Sequence, residues 1–101
     1  MGFLIRLHPL IANDYEEAYS WYESKLPGLG ERFLAAVRLK MESIAANPQN
    51  FSSKGNLKFR EAMVDDFPFV IVYKINKRRQ EILVSSIHHM KKHPRKKYRK
   101  G

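Results

Sequence analysis

The spacing of apolar residues changes period several times along the chain, and each change predicts an element. In "FLIRLHP" (3–9), Phe3, Ile5 and Leu7 alternate with Leu4, Arg6 and His8, the pattern of a short strand that Pro9 stops. The period then lengthens. Tyr15, Ala18, Tyr19, Tyr22 and Leu26 recur at helical spacing, and Asn13 with Glu16 three residues on suggests a capping box at the start. "PGLG" (27–30) ends this helix, because Pro27 cannot continue it and Gly28 and Gly30 permit a tight reversal. A second helix is predicted from Glu31 to Ala46, with Phe33, Ala36, Val37, Met41 and Ile44 as its apolar stripe and Asn47-Pro48 as its stop. So short a connection predicts an antiparallel helical hairpin.

Past a loop-like stretch, "QNFSSKGN" (49–56), the pattern is that of strands. "LKFREAMV" (57–64) leads into a turn at Asp65-Asp66, and "FPFVIVYKI" (67–75) is nearly all apolar, as a strand buried on both faces would be. "NKRR" (76–79) turns the chain into the last strand, "QEILVSSI" (80–87). The expected class is α+β, in the order β-α-α-β-β-β: an N-terminal strand, a helical hairpin, then a three-stranded antiparallel sheet. Nothing repeats and no linker divides the 101 residues, which suffice for one domain with one core.

Composition narrows the function classes. There is no cysteine, which excludes disulfides and thiol catalysis. No apolar run is long enough to span a membrane, and "MGFLIRLHP" lacks the apolar run of a signal peptide, so a cytoplasmic location is expected. The net charge of +9 is unevenly placed: residues 88–101, "HHMKKHPRKKYRKG", hold seven of the 19 Lys and Arg and no acidic residue. Such an end attracts polyanions, nucleic acid above all, or is a solvated tail; composition alone leaves both open.

Familiar catalytic motifs are absent: no glycine-rich phosphate loop, no HExxH, no nucleophile elbow. Asp65-Asp66 reads as turn chemistry, and His88, His89 and His93 without a neighbouring carboxylate make a poor metal site, so neither metal nor cofactor is expected. The Tyr stripe of the first helix reads as core and partner contacts, and Trp21, lying off it, as an edge or interface residue. What remains is Lys, Arg, His and Tyr. That set suits cleavage of an RNA phosphodiester by its own 2′-hydroxyl, which needs a base, an acid and cations around the phosphorane. Lys58 and Arg60, two apart in one expected strand, should share a face. The C-terminal segment would complete a site if it folded over the sheet beside them; a tail in solvent would point to binding or solubility. Each residue also has a plainer reading: Arg60 as partner of a neighbouring group, Lys58 as a solvated charge, the inward one of His88 and His89 as a hydrogen-bonded structural residue, and Tyr98 as part of a loose end.

The string "DYEEAYSWYESKLPGLGERF", followed by "NPQNF", "KFREAMVDDFPFVIVYKI" and "IHHMKKHP", resembles the RelE/ParE superfamily of toxins from bacterial toxin–antitoxin modules over nearly the whole chain. The resemblance implies a small α+β fold with a helical hairpin against an antiparallel sheet. It also implies a cognate antitoxin as partner, and one of two activities. RelE-like members are ribosome-dependent endoribonucleases that cut mRNA, whereas ParE-like members have no nuclease activity and poison DNA gyrase. Carried onto this chain, the basic sheet positions fall loosely on Lys58 and Arg60, and the positions after the last strand on His88, His89, Lys91, Lys92 and Tyr98, with Arg95, Lys96 and Lys97 as further nucleic-acid contacts. The expected catalytic set is Arg60, His88, His89 and Tyr98 in a metal-independent endoribonuclease that inhibits translation, with a gyrase poison or a non-toxic RNA-binding member as alternatives. One position departs: where RelE-like nucleases carry an arginine in the "FPFVIVY" strand, this chain has Val70. A nuclease would have to draw that missing charge from the C-terminal segment.

Overall fold

The computed structural model describes residues 2–53, 58–92 and 97–99. Its elements are β1 (Leu4–Leu7), α1 (Ile11–Lys25), α2 (Leu29–Ala46), a 3-10 turn (Pro48–Asn50), β2 (Ser52–Ser53), β3 (Arg60–Met63), β4 (Phe69–Asn76) and β5 (Glu81–His89). The order agrees with the sequence expectation except for β2, which forms in the stretch expected to be a loop. The sheet, however, has five strands in the order β1-β5-β4-β3-β2, not three. β1 joins it parallel to β5, with Leu4 opposite Glu81 and Leu7 opposite Val84, and the short β2 extends the other side antiparallel to β3.

Two helix boundaries are also corrected. α1 begins at Ile11, ahead of the expected Asn13, and no side chain caps it. Ile11 is buried at 1% exposure, so packing draws the helix start forward, while the His8 imidazole accepts the Leu10 N–H just before it. α2 begins at Leu29, within the expected turn. There Gly28 takes a positive φ of 91°, and the Glu23 carboxylate of α1 accepts the N–H groups of Gly28 and Gly30 at 2.9 and 2.8 Å, satisfying donors that a helix start leaves unpaired. A Cβ at Gly30 would meet Tyr19 and Glu23 atoms at 2.8 Å, so the hairpin's close approach requires glycine.

The helices cover one face of the sheet. Ile11, Ala18, Tyr22, Phe33, Val37, Met41 and Ile44 pack on Ala62, Phe69, Ile71, Tyr73, Ile82, Val84 and Ile87. Alternation then sends Val70 and Val72 of β4 to the opposite face, where they join Phe59. Residues 69–73 are buried on both sides, as their unbroken apolar run predicts. Between Val72 and Tyr73 the β4–β5 register shifts, so that Val72 faces Ser86 and Tyr73 faces Val84. Ser85 is thereby left over in a bulge. Among the described residues no helix is long and apolar enough to cross a membrane.

Candidate functional site

The side of the sheet away from the helices is partly covered by the chain's own C-terminal residues. Tyr98 packs on Phe59 with ring centroids 4.9 Å apart, closing the apolar patch of Phe59, Val70 and Val72. Two serines at the bulge hold the backbone of this segment: Ser85, left over in it, donates to the Arg99 carbonyl at 2.9 Å, and Ser86, opposite Val72, to that of Lys97 at 2.7 Å. Glu61, projecting from β3, accepts the Tyr98 hydroxyl at 2.5 Å and pairs with the Lys97 ammonium at 2.9 Å. Arg99 makes a two-pronged pair with Asp14 of α1, both contacts 2.8 Å. The Asp14 and Arg99 side chains are only 13% and 16% exposed, so the pair is largely shielded from solvent screening.

His88 stands on this same face, opposite Val70 in the register, and is buried. Its Nε2 lies 3.2 Å from the Lys92 carbonyl, which makes that nitrogen the donor. Burial holds the imidazole below its ordinary pKa, partly opposed by this hydrogen bond. Burial and the Glu61 hydrogen bond push the Tyr98 phenol up to about 12, so it keeps its proton at neutral pH.

The expected catalytic residues do not converge. Arg60 pairs with Tyr73 in the register and so faces the helices, on the other side of the sheet from His88 and Tyr98. Its guanidinium donates to the carbonyls of Phe51 at 2.7 Å and Gln49 at 3.3 Å, tying the 3-10 turn to the sheet. Tyr73, buried beside it, donates to the Pro48 carbonyl at 2.5 Å, and its phenol is also raised to about 12, by burial. Lys58 precedes β3 with a positive φ of 61°, so the alternation that was to place it beside Arg60 does not reach it. His89 lies at the helix-side end of β5, its ring edge-on to Phe69 at 5.0 Å, and its Nδ1 accepts the Lys91 N–H. Lys91 is exposed, whereas Lys92 pairs with Glu17. Arg95 and Lys96 lie outside the described residues. Among the described residues, no three His, Asp or Glu gather where they could hold a metal ion.

Glu61, Asp14, Ser85, Ser86 and Arg99 were not expected from the sequence. Only Glu61 was within reach of it, since alternation places it on the face opposite Arg60; the others meet partners more than ten residues away along the chain.

A five-stranded mixed sheet, a helical hairpin on one face and a C-terminal segment on the other define a RelE/ParE-type toxin fold. It is similar to the chromosomal ParDE toxin–antitoxin system from P. aeruginosa, at 12% identity over 88% of this chain and 97% of that one, with a TM-score of 0.75. It is also similar to a double-mutant E. coli toxin RelE in the free state, at 11% identity over 90% and 86% of the two chains, with a TM-score of 0.68. No curated protein matches the sequence significantly. Residues 5–94 match the family described as the ParE toxin of the type II toxin-antitoxin system, parDE. The chain belongs to that family, and a type II toxin implies an antitoxin partner.

Proposed function

We propose that this toxin arrests growth by binding DNA gyrase and not by cutting mRNA. The observation that carries this reading is the surroundings of Val70. Where the resemblance implies a phosphate-stabilising arginine, a valine at 4% exposure sits in an apolar socket under Tyr98. Stabilising a phosphorane needs preorganised cations or donors aimed at its oxygens, and a buried valine offers neither. The C-terminal segment does bring a cation to this face, Lys97, but Glu61 neutralises it at 2.9 Å. Arg60 and Tyr98 give no compensation. Arg60 is engaged with backbone carbonyls on the far side of the sheet, and a phenol at about 12 is a poor match for acid–base work near neutrality. These features favour a gyrase poison over the endoribonuclease expected from the sequence.

The test pairs two assays on one induction. Purified toxin is expected to inhibit supercoiling by gyrase, and induced cells to filament with a DNA-damage response. Mapped transcript 5′ ends should show no new cuts. New cuts within ribosome-bound mRNA, with supercoiling unaffected, would restore the endoribonuclease reading.

A further inference from the structure

The sequence places the excess positive charge at the C-terminus, but the fold uses much of it internally: Lys92, Lys97 and Arg99 each meet a carboxylate. A different group of cations stands open to solvent. Across three adjacent strands, on the face away from the helices, Arg6 of β1 lies opposite Leu83 of β5, which lies opposite Lys74 of β4. Beside this row the β4–β5 turn carries Lys77, Arg78 and Arg79, all exposed. Arg6, Lys74, Lys77 and Arg79 line a shallow cleft of about 620 Å³ floored in part by Leu83. Among the described residues its single carboxylate is Glu81, 3.7 Å from Arg6.

We propose that this cleft binds the phosphate backbone of duplex DNA. Four cations against one carboxylate select a polyanion. The kind of polyanion follows from what the cleft lacks. Between β1, β5 and β4 the backbone groups of its floor already pair with each other, so an extended peptide laid across these strands finds no main chain to bond; the open main chain lies along the outer border of β1, outside the floor. Among the described residues no aromatic side chain lines it, and the Phe59 ring near Lys74 is buried, so single-stranded nucleic acid has no exposed stacking platform. What it offers is two cations rooted in the sheet, Arg6 and Lys74, beside two on the adjoining turn, Lys77 and Arg79. Arg6 and Lys74 are rooted two strands apart, about 10 Å from the usual strand separation, a span comparable to the major groove of about 12 Å between the phosphates of a stiff duplex. Lys74 is further positioned by the Phe59 ring, 5.1 Å beneath its ammonium. Contacts of this kind read the backbone and not the bases, so binding is indifferent to sequence.

The proposal stands apart from the gyrase reading, because DNA binding and inhibition of supercoiling are measured separately and either can fail alone. The probe is a fluorescein-labelled 20-base-pair duplex of mixed sequence, followed by anisotropy from 50 to 200 mM salt. The wild-type chain should bind with a steep salt dependence. The variant K74Q/K77Q/R79Q should weaken binding about tenfold or more and reduce the salt slope by roughly 2 to 3. The single reversal Lys77→Glu, on an exposed turn, should act in the same direction should the triple variant fold poorly. Lys97→Gln, which alters a cation already paired with Glu61, should leave the slope unchanged. An unchanged slope in both cleft variants overturns the proposal. So does tighter binding of labelled polyglutamate than of duplex, which would assign the cleft to an acidic protein segment instead, and so does tighter binding of single-stranded RNA.

Discussion

Arg60 and Glu61 are neighbours in sequence and do unrelated work on opposite sides of one sheet. Arg60 reaches among the helices to the carbonyls of Gln49 and Phe51, while Glu61 fastens Lys97 and Tyr98 on the other face. Residue type drew attention to the arginine, whereas the two-residue period of a strand assigns the roles, and that period begins only at Arg60. At His88 the sequence reading was closer: of the two adjacent histidines one is buried and hydrogen-bonded, as alternation required. The folded pKa lies below the value of about 6.5 expected of an unfolded chain, so between the two the unfolded state binds more protons and stability rises with pH. Lowering the pH from 7.5 to 5.5 should therefore lower the melting temperature. His88→Gln should show a shallower fall, and a variant as pH-sensitive as the wild type would place the titration elsewhere.

At the scale of elements, the helices and the two long strands were legible because each carries its own period. Phe33, Val37, Met41 and Ile44 form a helical stripe, and residues 69–73 form an apolar run. Two features were not legible. β1 is parallel to β5, a pairing between residues nearly 80 apart that no local pattern announces. The C-terminal segment, strongly basic and without an acidic residue, left a solvated tail and a nucleic-acid arm equally open, yet its described residues are anchored through single contacts: Tyr98 in its socket, two serine hydroxyls under its carbonyls, and the Asp14–Arg99 pair. The last of these should be the strongest anchor. Removing one partner of a largely buried pair leaves an uncompensated charge, so Asp14→Ala should cost about 3 kcal/mol. Urea unfolding measures this, and a loss below about 1 kcal/mol would mark the pair as a surface contact of little weight.

For the whole molecule, the sheet ties the beginning of the chain to its later part. β1 supplies Ile5, opposite the fully buried Ile82, and Leu7, opposite Val84. Deleting residues 1–7 should abolish cooperative unfolding and near-ultraviolet dichroism, whereas a variant that still melts sharply would show that β4 and β5 hold the sheet unaided. β1 nevertheless stops short of the end of β5, its pairing ending at Leu7 and Val84 while β5 runs on to His89. In a parallel ladder one residue donates to a carbonyl on the neighbouring strand and accepts from the amide two residues further on. The Arg99 guanidinium donates to the Ser85 carbonyl at 3.3 Å, and the Asp14 carboxylate accepts the Ile87 N–H at 3.0 Å. Two side chains from distant parts of the sequence thus impersonate the missing residue of β1 opposite Ser86. An open strand border is a template on which other chains aggregate, and here it is sealed by charge instead of backbone. Loss of Asp14 or Arg99 would accordingly do more than loosen the fold: it would expose a growth point for intermolecular sheet, seen as soluble oligomers before any unfolding.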